Sequence, residues 1–251
     1  MKWISSISYI KSQPEVLMGK TFALPATAAL LLLSACADHT ASSIAGPRSP
    51  SDAAVAARSN GGNDNLTLHP DGFGQNSYAA WKAHEGLPDS KGNADHALYF
   101  QKMTTTETVA AGVARINGFE GQPLSAIVGL SWEHRIDGWC GAGAPRWDII
   151  VSDASGDRGV IFLGCAAAVH TPGSNANWIR DSYPVGTAAI ASLPATGFTP
   201  DFNPSDALTI SELLIVFDEG TDVPANPGFV FLDNITVNGH VFTGPADNGA
   251  D

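Results

Sequence analysis

Apolar residues in this chain come in short blocks, each closed by Gly, Pro, Asn or Asp, and no stretch holds a helical period for long. Blocks of that length can be strands but not helices that stand alone. With 26 Gly, 16 Pro and only 15% charged residues in 251, the pattern points to sheets joined by turns.

The blocks cover residues 97–103, 108–116 (ending at the turn Asn117-Gly118), 124–134, 147–151, 160–165, 213–217 and 229–237. Within 124–134, Val128, Leu130 and Trp132 share one phase, with Gly129, Ser131 and Glu133 in the other. Within 147–151, Trp147, Ile149 and Val151 point together. Trp132 and Trp147 are therefore core residues, and Glu133, Asp148 and Asp218 read as outward, solvated carboxylates. Blocks 160–165 and 213–217 are apolar on both faces, as central strands are. Only residues 78–84 hint at a short helix. The order predicts an all-β fold, an antiparallel two-sheet jelly-roll sandwich, over residues 66–245. A connection of about 40 residues, 166–206, carries Trp178, Tyr183, Phe198 and Phe202. A loop this long is functional or packs as a flap.

The N-terminus carries an address. Residues 21–35 form an apolar run broken only by Pro25, Thr27 and Ser34, with Lys20 before it. The run is shorter than the roughly 20 residues of a membrane span and suits a signal-peptide core. It ends Leu33-Ser34-Ala35-Cys36, which resembles the bacterial lipobox. The resemblance implies a lipoprotein leader over residues 1–35, palmitate-type lipidation of Cys36, and membrane attachment. Ala37 in place of Asp implies the outer membrane of a diderm cell, facing periplasm or cell surface. The alternative is an ordinary secretory signal with a chance cysteine. Met18-Gly19-Lys20 would open a compact leader by itself, so Met18 is read as the true start. Residues 36–65, rich in Ala, Ser, Gly and Asn, read as a flexible tether. As a coil it would hold the domain roughly 30 Å from the membrane. Residues 246–251 read as a disordered tail.

Charge excludes one class of partner. Lys2, Lys11, Lys20 and Glu15 precede Cys36, which leaves 10 of 13 basic and 24 of 25 acidic residues beyond it, a net −14. Nucleic acid needs clustered Lys and Arg, which are absent. Cys140 and Cys165 remain after Cys36, and an even pair in an exported domain predicts a disulfide. Closing about 25 residues, it is worth roughly 3 kcal/mol on the chain-entropy model. Metal ligation is the alternative, although there is no CxxC and no His adjacent in sequence.

Catalytic constellations are missing. The seven histidines form neither HxH nor HExxH. There is no GxSxG, P-loop or Rossmann fingerprint. Gly141-Ala142-Gly143-Ala144-Pro145 reads as the corner that admits Trp147 to the core, held by Cys140. The acidic segment Phe217-Asp218-Glu219-Gly220-Thr221-Asp222 reads as a turn with Gly220 at positive φ, or as a hard-cation site.

The segment Phe231-Leu232-Asp233-Asn234-Ile235-Thr236-Val237-Asn238-Gly239 resembles the closing strand of jelly-roll domains of the carbohydrate-binding-module type. The resemblance implies a structural calcium (Ca2+) with Asp233 as ligand, Asp64 and Asp71 being candidate partners. Parity places Asp233 in phase with Ile235 and Val237, toward the core. An inward aspartate needs a cation or backbone donors. Sugar binding needs exposed aromatics beside amides. Trp178, flanked by Asn175 and Asn177, is the first candidate, Trp81 the second, and Trp139 would cover the disulfide. Three readings follow in order: a surface-anchored glycan-binding module, an envelope lipoprotein binding another protein, and a carbohydrate-active enzyme.

Overall fold

Alternating blocks bury one face each only if two sheets stack, and that is the arrangement found. The computed structural model describes residues 66–88, 95–156, 158–184, 186 and 207–248, all within one unit, Pro50–Asp251. The leader, Cys36, the tether, Asp64, Phe198 and Phe202 lie outside the described residues.

Twelve strands fill the described residues: β1 (Thr67–Phe73), β2 (Ser77–Lys82), β3 (Ala97–Lys102), β4 (Ala111–Asn117), β5 (Leu130–Arg135), β6 (Arg146–Ser152), β7 (Arg158–Gly164), β8 (Val169–Pro172), β9 (Trp178–Tyr183), β10 (Thr209–Phe217), β11 (Phe229–Val237) and β12 (His240–Phe242). Among them there is no α-helix, only 3-10 turns at Leu124–Ala126, Cys165–Ala167 and Pro245–Asn248. The last of these stands where the sequence predicts a disordered tail.

The five-stranded sheet runs β1-β4-β10-β6-β7, and the seven-stranded sheet runs β2-β3-β11-β5-β9-β8 with β12 on β11. Take β3, β4, β5, β6, β7, β9, β10 and β11 as the eight principal strands. One sheet then holds the first, eighth, third and sixth, and the other the second, seventh, fourth and fifth. That is the jelly-roll winding, with all pairings antiparallel. β1, β2 and β8 extend its edges.

Between the sheets, Trp132 and Trp147 stack at 5.0 Å and 22°, and Tyr183 meets Trp132 edge-on at 5.2 Å. Both indoles are fully buried, and truncating either to Ala would cost about 3–5 kcal/mol. The corner before Trp147 is closed by Gly141 N–H to Ala144 O at 2.8 Å and Cys165 N–H to Pro145 O at 2.9 Å. Cys140 and Cys165 are disulfide-bonded.

Three expectations need correction. Residues 78–84 are not helical: β2 pairs with β3 along its full length, Ser77 opposite Lys102 through Lys82 opposite Ala97, and sheet pairing overrides the helix preference of Ala79 and Ala80. The 166–206 connection contains β8 and β9. β1 also escapes a sequence reading because it holds Pro70, which an edge strand tolerates. Gly220 does not have positive φ. It is needed for close approach instead, since a Cβ there would lie 1.9 Å from Thr104 O.

The parity of β11 also differs from expectation. Val230 and Leu232 lie in the core, and so do Ile235 and Val237. The phase therefore changes between them. The register against β5 slips between Asp233 and Thr236, where Asn234 takes φ 47°. A bulge of this kind re-aims the side chains on its two sides. Asp233 consequently sits on the outer face of the seven-stranded sheet, directly across from Glu133.

Candidate ligand-binding face

Strand alternation aims Tyr78 of β2, Tyr99 of β3 and Phe229 and Phe231 of β11 away from the core, onto the outer face of the seven-stranded sheet. Ring centroids step from Tyr78 to Tyr99 at 5.7 Å, then to Phe229 at 6.0 Å and Phe231 at 4.7 Å. The rings are tilted by 55°, 32° and 48° respectively, so they form a twisted row rather than a plane. Tyr78, Tyr99 and Phe229 are half-buried, whereas Phe231 is buried.

Polar groups frame the row. Tyr99 donates its hydroxyl to Gln101 Oε1 at 3.0 Å, and Gln101 Nε2 donates to Asn76 O at 3.2 Å, which fixes the amide. Lys82 Nζ lies 5.3 Å from the Tyr78 ring centre and 5.6 Å from that of Tyr99. The Arg135 guanidinium covers Phe231 at 3.7 Å. It is held by Asp137 at 2.7 Å and Glu85 at 2.6 Å, both of which raise its pKa against the effect of burial. Burial, then the neighbouring Tyr78, raises the Tyr99 phenol. The face thus combines apolar ring surface with oriented donors and acceptors, the composition of a small-ligand site.

The far end of the same face is roofed. Asp233 accepts from the Leu87 and Asn234 backbone N–H groups, each at 2.6 Å. Glu133 accepts from Ser174 N–H at 2.7 Å and Ser174 Oγ at 2.8 Å. Both carboxylates are therefore staples that tie the 85–88 and 173–174 loops onto the sheet. They are only 3% and 2% exposed, and backbone N–H groups together with the Ser174 hydroxyl and the Asn234 amide occupy their oxygens. Glu133 does face outward, as parity predicts, but it is not solvated. Asp148 is likewise buried, bonded to Arg146 Nε at 2.7 Å, and burial pushes it up to about 6 against the pull of Arg146.

The aromatic candidates read from the sequence fall elsewhere. Trp178 is 5% exposed and packs with Leu87, Ala97 and Phe231 under the roof. This corrects its reading as an exposed platform: β9 carries it to the outer face, but the 85–88 loop covers it. Asn175 and Asn177 are exposed at the tip between β8 and β9, where Asn177 N–H bonds Asn175 Oδ1 at 2.9 Å. Trp81 is half-buried against the main core. Trp139 donates to Glu219 at 2.6 Å. The acidic turn disperses as well: Asp218 pairs with Arg146, while Asp222 accepts from Thr106 N–H at 2.6 Å, a bond that lowers its pKa. No shared cation site forms from these three carboxylates. Asp71 is exposed and accepts from Gly72 N–H at 2.8 Å.

Sequence reading missed Tyr78, Tyr99, Phe229 and Arg135. The available signal was phase. Tyr99 and Gln101 alternate with Leu98 and Phe100, and Tyr78 with Ala79.

No protein-family model matches the chain, and no curated protein matches it. Among solved structures it is similar to a family 30 carbohydrate binding module, at 16% identity and a TM-score of 0.37, over 70% of this chain and 99% of that one. A likeness this distant transfers no residue roles.

Proposed function

We propose that this chain is a non-catalytic, surface-anchored binding module whose ligand is a glycan chain lying across β2, β3 and β11. The observation that carries the reading is the partly exposed row Tyr78–Tyr99–Phe229 with Lys82 and Gln101 beside it. A sugar ring offers an apolar C–H face and a rim of hydroxyls, and this row offers ring surface and polar groups to match. The tilt follows the sheet's twist and favours one twisted chain over a flat crystalline surface. Within this reading Cys36 is the lipid anchor and Asp233 the ligand of a structural calcium. Backbone donors already partner Asp233, so calcium is an addition to the site rather than a requirement for it.

The test is affinity electrophoresis against a panel of soluble polysaccharides, with and without calcium. It uses the full chain carrying Cys36→Ser. One glycan class should retard the protein, and Tyr99→Ala or Phe229→Ala should weaken binding about tenfold, roughly 1.4 kcal/mol. Retardation indifferent to both variants would remove the site. No retardation of a folded protein would favour a protein partner.

A further inference from the structure

A second constellation lies between the sheets, at the end of β5, β7 and β9, and owes nothing to the glycan reading. Asp181 is fully buried on β9. Its Oδ2 accepts from Trp132 Nε1 at 2.8 Å and lies 2.5 Å from His134 Nδ1, and its Oδ1 lies 2.7 Å from His170 Nδ1. Cys165 Sγ is 3.5 Å from the same Oδ2 and 4.0 Å from His134 Nδ1. One ligand atom from each of His134, Cys140, Cys165 and Asp181 lies within 4.8 Å of the others.

A tetrahedral ion with bonds of about 2.0–2.3 Å needs ligand atoms roughly 3.3–3.8 Å apart. The observed separations bracket that range. The donor set, two sulfurs with an imidazole and a carboxylate, suits zinc. In the oxidised chain the sulfurs bond each other and cannot ligate.

We propose that reducing Cys140–Cys165 converts this corner into a four-ligand zinc-type site made of His134, Cys140, Cys165 and Asp181. Two small-molecule thiols supply the electrons. Their sulfurs join as a disulfide, the Cys140–Cys165 bond breaks, and each cysteine takes one proton. The divalent cation then displaces both thiol protons to solvent and binds two thiolates, His134 Nδ1 and Asp181 Oδ2. His170 keeps the other Asp181 oxygen, the outer-shell role that orients a carboxylate ligand. Cys140 is only half-buried and is the sulfur a reductant reaches.

The experiment uses the full chain with Cys36→Ser, which removes the third thiol, and Co2+ alone as probe. After reduction with a non-chelating phosphine, the protein should bind one equivalent of Co2+. Thiolate-to-metal charge transfer and intense tetrahedral d–d bands should develop, and Zn2+ should bleach both. The oxidised protein should bind none. His134→Gln should weaken binding at least tenfold, and Cys165→Ser at least a hundredfold. Near-UV circular dichroism of the Trp132–Trp147 pair reports the fold. A reduced, native-like protein without cobalt bands overturns the proposal. Affinity unchanged in His134→Gln does the same, since it would mean binding by thiols alone. So does a reduced chain that loses its near-UV signal and does not regain it with Zn2+.

Discussion

Replacing Asp233 by Ala removes an acceptor from two backbone donors, Leu87 N–H and Asn234 N–H, each 2.6 Å away. The Leu87 bond is buried, and an orphaned buried donor costs about 1–3 kcal/mol. Set against this is a cost that the wild type itself bears. Burial first, with Glu133 and Asp95 adding to it, pushes Asp233 up from 3.8 to about 6 despite the two backbone donors. Because the folded pKa exceeds the unfolded one, the native chain binds more protons between about pH 4 and pH 6. Stability therefore falls as pH rises through that window and is level above it. The gap between 3.8 and about 6 corresponds to about 3 kcal/mol at 1.36 kcal/mol per pH unit, of which about 2 kcal/mol separates pH 4.5 from pH 7. Alanine carries no such term. Asp233→Ala should therefore destabilise the domain by about 2 kcal/mol more at pH 4.5 than at pH 7. Asp148 titrates in the same window, but it is present in both proteins and cancels. Urea unfolding followed by tryptophan fluorescence at the two pH values measures the difference. An equal loss at both, or a larger loss at pH 7, would refute the reasoning.

Three further outcomes are expected. Cys140→Ser and reduction should each lower stability by about 3 kcal/mol, as a crosslink over 25 residues implies; a melting curve indifferent to phosphine would contradict this. Trp178→Ala should cost about 3–5 kcal/mol, because its ring is buried with Leu87 and Phe231. Loss of glycan binding at unchanged stability would instead make Trp178 a contact residue. Lys102 is 1% exposed and donates to the carbonyls of Thr106, Thr108 and Ala110 at 3.1, 2.8 and 2.9 Å. Lys102→Met strands those acceptors and should cost about 2–3 kcal/mol in chemical unfolding, where a loss under 0.5 kcal/mol, the size of an ordinary surface change, would count against it.

The sandwich was legible because its central strands are apolar at every second position or throughout, and Trp132 and Trp147 fell where phase put them. What escaped were strands without an apolar alternation: β1 holds Pro70, β8 is exposed throughout, and β9 buries a charged residue. β9 reads as loop because its inward phase contains Asp181, which is acceptable in a core only with Trp132, His134 and His170 as partners, and no local window shows those. Glu133 reads as solvated for the same reason, its partner Ser174 being 41 residues away; Asp148 differs, because its partner Arg146 is two residues away on the same strand and the charged pair is buried together. The aromatic face was hidden because its members come from three strands that are distant in sequence. The metal-type corner unites residues up to 47 positions apart, His134 and Asp181.

The left-handed Asn234 divides the last long strand into two cassettes with different masters. Residues 229–233 present Phe229 and Phe231 outward, while Ile235 and Val237 are sealed inside and β12 pairs beside them. In the first cassette only the outward positions 229 and 231 are free to follow the ligand, because Val230 and Leu232 between them are held by the core, as Ile235 and Val237 are in the second. Deleting Asn234 would remove the bulge and bring Leu232 and Ile235 into one unbroken alternation, with Asp233 still outward and the kink that separates the cassettes gone.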